Sequence, residues 1–240
     1  MILRDADMHA SMTYELYIGD RTFSSWSLRG WLMLEKFRLP YRAHMVGLYA
    51  RTMKADLAHL APAKTVPVMQ TADGHVLTDS LAMAETLAEN HPEANLYPAD
   101  PAARALARSI TAEMHSGFQA LRDACPMMLS FCWEGFEPSQ AVKDDLERIE
   151  TLWSLARSCH STGGPWLFGA YSLADVFYAP VAMRITAYDL PVSEDAKTYV
   201  NAQLTDPAFL AWRKAAMEES YDPFPYQLPL AQRPWPSDAN

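Results

Sequence analysis

Three serines surround a tryptophan in the stretch FSSWSLRGW, residues 23–31, which follows a short alternating run. The pattern changes here from strand to helix, and the unpaired N–H groups of a helix start favour an anion. A serine hydroxyl at this place can donate a hydrogen bond to a thiolate, whose parent thiol has an ordinary pKa of about 8.5. Ser24 and Ser25 are therefore either helix-capping residues or donors to a sulfur anion. A covalent role for Ser24 lacks support, because the sequence has neither a GxSxG motif nor an evident base.

A second candidate site lies in TDSLAMAETLAE, residues 78–89, where Asp79 and Ser80 precede a helical pattern. Ser80 can present its hydroxyl and N–H groups to a carboxylate at the positive end of the helix dipole. Asp79 can pair with an ammonium group beside that carboxylate. The pair suits the head of an α-amino acid, and simple N-capping of the helix is the alternative.

A third candidate is Val66-Pro67 in KTVPVM, at the start of a predicted strand. Proline interrupts strand pairing, and an X-Pro bond is sometimes cis. A cis bond would turn the backbone of Val66 outward, where an extended, peptide-like ligand could pair with it as an added strand. An edge-strand proline without a ligand is the alternative interpretation.

A predicted βαβ unit, followed by a β-hairpin and a helix, must position these three stretches. Asp73-Gly74 separates two β-like runs and predicts a type I′ turn, which needs positive φ at both positions. Such an order gives a four-stranded mixed sheet with helices packed on it. The predicted elements are a strand at 14–18, a helix at 25–37, a strand at 41–46, strands at 66–71 and 75–77, and a helix at 80–90.

Two domains are predicted from a change in pattern along the chain. The proline-rich stretch at residues 91–101 is typical of a linker, and the pattern beyond it is almost wholly helical. The predicted units are an N-terminal domain at residues 13–91, a helical domain at 101–220, and extensions at 1–12 and 221–240.

The helical domain has three clear helix signals. Apolar residues at helical spacing predict one long helix within residues 103–124 and another within 139–159. Ser172 and Asp175 have the spacing of a capping box and predict the start of a further helix. The segment after residue 220 is too rich in proline to be helical and is expected to lie over the surface.

The composition limits the classes of partner. Half of the 240 residues are hydrophobic, and 20 basic against 29 acidic residues give a net charge of −9, which argues against nucleic acid. No apolar stretch approaches the roughly 20 residues that span a bilayer, and the N-terminus has no signal-length apolar run. We therefore expect a cytoplasmic protein without membrane contact. Three cysteines without CxxC spacing, and histidines without close pairing, predict reduced thiols and no metal site.

With these motifs in order, the sequence resembles the glutathione S-transferase superfamily. FSSWSLR is similar to the serine motif of zeta-like, maleylacetoacetate-isomerase-like members, which have Ser-Ser-Cys-x-x-Arg there. KTVPVM matches the Val-Pro before the third strand of the family, and TDSLAMAETLAE matches its acidic-or-amide, Ser, then helix pattern. SLADVFYAPV resembles the capping box and buried Asp of its helical domain. The resemblance covers roughly residues 13–220 and indicates a serine-type bacterial member.

The resemblance implies an α+β chain with the glutathione S-transferase fold. A thioredoxin-like N-terminal domain would bind glutathione, and an all-α, helical-bundle C-terminal domain would supply the pocket for the second substrate. By position, Val66 and Pro67 would hold the cysteinyl backbone of glutathione. Asp79 and Ser80 would hold its γ-glutamyl head.

The resemblance also implies that a serine of the first helix stabilises the thiolate. Alignment on the Ser-Ser pair selects Ser24, whereas counting four residues back from Arg29 selects Ser25. We favour Ser24, and we expect Arg29 to anchor the helix by a salt bridge. Trp26 stands where the zeta pattern has cysteine, which counts against isomerase activity. Three roles are open for it: to narrow the mouth of the site, to supply an apolar wall, or to pack against the second domain.

Weaker candidates complete the expected site. Lys64 lies in the segment where the family often contacts the glycine carboxylate of glutathione, and a solvated surface charge is the alternative. Several residues of the helix predicted within 103–124 would face the first domain and line the second-substrate pocket. These pocket candidates are Met114, His115, Gln119 and Arg122.

The expected function is conjugation of glutathione, as co-substrate, to a small electrophile by a detoxifying transferase that acts as a homodimer without a metal. One alternative is a glutathione-dependent cis-trans isomerase of the maleylacetoacetate type, in which the thiol adds, a double bond rotates and the thiol leaves. Another alternative is a non-catalytic glutathione-binding interaction protein, because fold does not fix function. The sequence leaves the electrophile open.

Overall fold

The computed structural model describes residues 13–159 and 163–236, so the extension at residues 1–12 lies outside the described residues. The N-terminal elements are β1 (Tyr14–Ile18), α1 (Ser25–Glu35), β2 (Tyr41–Met45), α2 (Met53–Asp56), β3 (Val68–Gln70), β4 (Val76–Leu77) and α3 (Ser80–Asn90). The strands form a four-stranded sheet in the order β2-β1-β3-β4. β1 pairs parallel with β2 and antiparallel with β3, and β3 pairs antiparallel with β4. The expected mixed sheet and thioredoxin-like domain are confirmed.

Close packing of α1 brings its N-terminus beside the loop that precedes β3. Alternate residues of β1 are buried, which places Leu16 and Ile18 in the core beneath the helix. A Cβ atom built on Gly30 would lie 2.8 Å from the Cβ of Pro67. Glycine at this position therefore allows the helix to approach the Val66-Pro67 bond, which is cis.

The predicted hairpin between β3 and β4 is present, but its expected turn type is wrong. Gly74 has a φ of +90°, whereas Asp73 is not among the described non-glycine residues of positive φ. The Gly74 N–H donates to the Thr71 carbonyl at 2.9 Å, and the Thr71 N–H donates to the His75 carbonyl at 2.9 Å. The loop is a turn closed by one left-handed glycine, and it is longer than a two-residue type I′ turn.

The second part of the chain is predominantly helical, as the sequence predicted. Its helices are α4 (Pro101–Ser116), α5 (Gln119–Ala124), α6 (Gln140–Cys159), α7 (Leu173–Tyr188), α8 (Glu194–Leu204) and α9 (Pro207–Glu218). α7 is buried along almost its whole length and packs against α1, α4 and α8. It therefore forms the centre of the helical bundle and one of its contacts with the N-terminal domain.

The long helix predicted within residues 103–124 is two helices, α4 and α5. The break lies at Gly117 and at Phe118, which has a φ of 60°. Arg122 in α5 folds back and donates to the carbonyls of Met114, His115 and Gly117. These bonds satisfy carbonyl groups that the end of α4 leaves unpaired.

The segment after α9 is non-helical, as expected, and it is tied to both domains. The Asp222 carboxylate accepts the N–H groups of Leu48, Tyr49 and Ala50 at 2.7–2.9 Å. Further on, β6 (Ala231–Arg233) pairs antiparallel with β5 (Cys132–Glu134). This second sheet is a correction to the prediction, which had no strand after residue 100.

The described residues contain neither a membrane-spanning helix nor a cluster of potential metal ligands. No helix in this part of the chain combines the length and the apolarity needed to cross a membrane. Within the same residues, no three His, Cys, Asp or Glu side chains are grouped so that they could hold a metal ion.

Candidate active site

A cleft of about 590 Å³ lies between the starts of α1 and α3 on one side and the helical domain on the other. Ten of the predicted site residues line it: Ser24, Ser25, Trp26, Val66, Pro67, Asp79, Ser80, His115, Gln119 and Arg122. Two predicted residues lie elsewhere. Lys64 is exposed on the loop outside the cleft, and Met114 is fully buried in the hydrophobic core.

Ser24 closes the N-terminus of α1. Its Oγ accepts the Ser27 N–H at 3.2 Å and donates to the Ser27 Oγ at 2.7 Å. The Ser27 Oγ in turn accepts the Gly19 N–H at 2.9 Å. The Ser24 hydroxyl is thus engaged on both its donor and its acceptor side by the cap itself.

Ser25 has a different partner, and that partner comes from the helical domain. Its Oγ accepts a hydrogen bond from Nη2 of Arg184 at 3.2 Å. This bond uses a lone pair of the oxygen and leaves the hydroxyl proton for a ligand in the cleft. The geometry therefore favours Ser25 over Ser24 as a donor to a bound anion.

Asp79 and Ser80 meet His115 across the cleft. One oxygen of Asp79 caps α3 by accepting the N–H groups of Leu81 at 2.8 Å and Ala82 at 3.1 Å. The other oxygen lies 3.3 Å from Nε2 of His115, and the Ser80 Oγ lies 3.5 Å from Nδ1 of the same ring. Burial lowers the pKa of His115, against a raising effect of Asp79, so the ring is neutral at neutral pH. The Asp79 charge is therefore not cancelled by a histidinium.

Trp26 is held between two guanidinium groups. The Cζ of Arg29 lies 4.7 Å from its ring centroid and the Cζ of Arg122 lies 5.0 Å away. Arg29 is fully buried, and its three guanidinium nitrogens have no hydrogen-bond partner among the described residues. The second aromatic neighbour of Arg29 is Phe177, at 5.0 Å. The expected salt bridge of Arg29 is thus replaced by cation–π contacts, and Trp26 packs against both domains.

This packing makes Trp26 a stabilising residue. We expect Trp26→Ala to lower the free energy of unfolding by about 2 kcal/mol, because a half-buried ring is lost and two cations lose their aromatic face. Trp26→Phe keeps a ring and should restore about half of that loss. Urea unfolding followed by circular dichroism measures both values. A loss below about 0.5 kcal/mol for the alanine variant would contradict this role.

Sequence reasoning missed several residues of the cleft wall. Tyr49 and Tyr226 line it, and their hydroxyls are 2.8 Å apart. Phe23 makes edge contacts with both rings at 6.1 and 5.7 Å. Arg184 was also missed, although a charged residue in the apolar run of α7 was a usable signal. A buried cation needs partners, and no acidic side chain lies within one helical turn of Arg184.

Comparisons with known proteins agree with this fold. Residues 23–90 match the model of the family described as glutathione S-transferase, N-terminal domain. A probable maleylacetoacetate isomerase of Caenorhabditis elegans is 32% identical over 82% of this chain and 91% of its own length. The maleylacetoacetate isomerase of Rattus norvegicus is 28% identical over 74% of this chain and 81% of its own.

A solved structure of a glutathione transferase homolog from Burkholderia gl BGR1, with bound glutathione, has a TM-score of 0.63 and 25% identity. The match covers 87% of this chain and 100% of the Burkholderia chain. A glutathione transferase Omega 2S from Trametes versicolor, with a TM-score of 0.66 and 22% identity over 86% of this chain and 97% of its own, shares the fold.

The chain therefore belongs to the glutathione S-transferase family. Within that family its resemblance is to the zeta class, since relatives named maleylacetoacetate isomerase match it over most of its length. Membership makes it a glutathione-dependent enzyme, with glutathione as co-substrate.

Proposed function

We propose that the cleft binds glutathione and activates its thiol for attack on a small electrophile. The observation that carries this proposal is the convergence of three separate motifs on one cleft. The starts of α1 and α3 and the Val66-Pro67 loop are distant in sequence, yet all three line the same space. Each contributes groups suited to a different part of a γ-glutamyl peptide.

The γ-glutamyl head would bind at the start of α3. Its carboxylate meets the hydroxyl and the backbone N–H of Ser80 at the positive end of the helix dipole, and its ammonium group meets the Asp79 oxygen that faces His115. The extended cysteinyl part would pair with the backbone of Val66. This places the sulfur near the start of α1, where Ser25 donates its hydroxyl proton.

The chemistry then needs only an ionised sulfur and a positioned electrophile. The bound thiol releases its proton to water, and the sulfur lone pair forms a bond to the electrophilic carbon. In a conjugation, the leaving group departs with its electron pair. Ser25 stabilises the sulfur charge before attack, and the helical domain positions the acceptor.

The charge of Asp79 provides a direct test of glutathione binding. Asp79→Asn keeps an N-capping oxygen but removes the charge, and we expect the Kd for glutathione to rise about tenfold. Isothermal titration calorimetry measures it. The matched control is Asp100→Asn, because Asp100 caps α4 through a 2.8 Å bond to the Ala103 N–H and does not line the cleft.

Glutathione whose γ-glutamyl amine is acetylated sharpens this test. It should bind the wild type and Asp79→Asn with the same affinity, since the ammonium group is the partner of Asp79. An unchanged Kd for ordinary glutathione in Asp79→Asn would overturn the proposed position of the γ-glutamyl head.

A glutathione-dependent isomerase is the second candidate, because the named relatives are maleylacetoacetate isomerases. One feature argues against the isomerase: Trp26 stands where the zeta pattern has cysteine. Mass spectrometry of the product distinguishes the two activities. A transferase adds the mass of glutathione and consumes it, whereas an isomerase leaves the mass of the substrate unchanged and returns the glutathione. Normal glutathione binding without turnover of any electrophile would indicate a non-catalytic glutathione-binding interaction protein.

We propose further that the enzyme is a cytoplasmic homodimer with a role in detoxification. The proposal is supported by the membership of the chain in the glutathione S-transferase family. Light scattering of the purified chain would test the oligomeric state, since a dimer has twice the mass of one chain.

A further inference from the structure

Arg184 is a buried arginine that reaches across the domain boundary. It lies in α7, is 4% exposed and lines the cleft. Its Nε donates to the Cys125 carbonyl at 2.8 Å, and its Nη1 donates to the Pro180 carbonyl at 3.3 Å. These two bonds fix the guanidinium plane, and the remaining Nη2 points at the Ser25 hydroxyl at 3.2 Å.

The charge of Arg184 has no carboxylate partner among the described residues. Burial, followed by the charge of Arg122, lowers the pKa of Arg184 to about 10, so it stays cationic at neutral pH. Burial, followed by the charges of Arg122 and Arg184, likewise lowers the pKa of Arg29. Three cations therefore repel one another beside the cleft, and an anion bound there would relieve that repulsion.

The other charged or titratable groups near this centre cannot supply that anion. Cys125, Tyr188 and Tyr226 face Arg184, and burial raises the pKa of each of them, so all three are neutral. Asp79, His115 and Asp123 line the same cleft, but neither carboxylate is ion-paired to Arg184 in the described structure.

We propose that Arg184 is a positioning residue of the reaction, which holds the Ser25 oxygen so that its proton points at the glutathione sulfur and which stabilises the thiolate by its charge. The inference rests on the proposed binding of glutathione in this cleft. A hydroxyl whose oxygen accepts from a cation is a better donor, because hydrogen bonds in a chain polarise one another. The helical domain thus contributes to thiol activation as well as to the acceptor pocket.

The test is the pKa of the thiol of bound glutathione, measured by ultraviolet absorbance of the thiolate against pH. Arg184→Met removes both the bond and the charge, and should raise that pKa by about 1 to 2. Arg184→Lys keeps the charge but cannot make all three hydrogen bonds, and should raise it by about 0.5 to 1. The KM for glutathione should change less than about twofold while kcat falls at neutral pH.

A double variant tests whether Arg184 acts through Ser25. In the Ser25→Ala background, Arg184→Lys should raise the thiol pKa by less than half of its effect in the wild-type background. Equal effects in the two backgrounds would overturn the positioning role.

Arg213 provides the matched control, since it is another buried arginine, outside the cleft, whose Nε donates to the Leu129 carbonyl at 3.0 Å. Arg213→Lys should leave the thiol pKa at the wild-type value. A rise equal to that of Arg184→Lys would mean general loosening of the helical domain and would contradict the proposal.

Calorimetry distinguishes a failure of the proposed function from a failure of the proposed role of Arg184. Absence of glutathione binding to the wild type would refute the proposed function. Normal binding with an unshifted thiol pKa in Arg184→Lys, which is expected to fold even if the methionine variant does not, would refute the role of Arg184 alone.

Discussion

Ser25→Ala should lower kcat/KM for glutathione conjugation by about 10²–10³-fold at neutral pH, which is the effect of removing one preorganised donor to a developing or bound anion. The Ser25 hydroxyl is the donor that the cleft leaves available, because its oxygen already accepts from Arg184 at 3.2 Å. Steady-state kinetics with glutathione and an activated aryl halide measure the loss. The pKa of the bound thiol should rise in the same variant.

Ser24→Ala is the variant that distinguishes the two serines. Ser24 caps α1 through its bonds with Ser27, so its loss should lower the free energy of unfolding by about 1 kcal/mol. Its effect on the thiol pKa should be smaller than that of Ser25→Ala. The reverse order of effects would assign the thiolate to Ser24, as alignment on the Ser-Ser pair predicts.

The N-terminal fold was predictable because its signals are local. α3 begins and ends at the predicted residues, since Asp79 caps it and the apolar spacing continues to its end. The alternation of YELYI likewise fixed β1, whose alternate residues are buried. The candidate glutathione-binding motifs lie at the starts of such helices and strands. Because those starts could be predicted, the order of the motifs along the chain was enough to expect them in one cleft.

The break between α4 and α5 could not be predicted in the same way. Apolar spacing continues through Phe118, which takes a left-handed conformation at a φ of 60°. The bonds that compensate for the break come from Arg122, a residue that the sequence suggested only as a pocket candidate. Periodicity reports which face is apolar, but it does not report where a helix stops when a later side chain satisfies the carbonyls.

The sequence could not decide between Ser24 and Ser25 for a similar reason. The two residues are adjacent and of the same type, and they differ only in their partners. Ser27 is three residues from Ser24, whereas Arg184 is 159 residues from Ser25. Tyr226 is 177 residues from Tyr49, its hydrogen-bond partner in the cleft wall, and no local pattern marks it.

The largest expected loss of stability is that of Asp175→Ala, at about 4 kcal/mol of unfolding free energy. Asp175 is fully buried at the start of α7. One oxygen accepts the Leu167 N–H and the Tyr199 hydroxyl, both at 3.0 Å. The other accepts the N–H of Ser172 at 2.8 Å and its hydroxyl at 3.0 Å. Burial raises the pKa of Asp175 to about 6, so the carboxylate that these donors need is present at neutral pH.

The alanine leaves four buried donors without an acceptor at the N-terminus of the central helix, which also carries Arg184. Asp175→Asn should lose most of the same free energy, since one of its two terminal groups is itself a donor and faces two others. Asp100→Ala is the matched control, because Asp100 is an exposed cap with one bond to the Ala103 N–H. This substitution should lower the free energy of unfolding in urea by only about 1 kcal/mol. Equal losses for Asp175→Ala and Asp100→Ala would mean that Asp175 is an ordinary helix cap whose buried network adds nothing to stability.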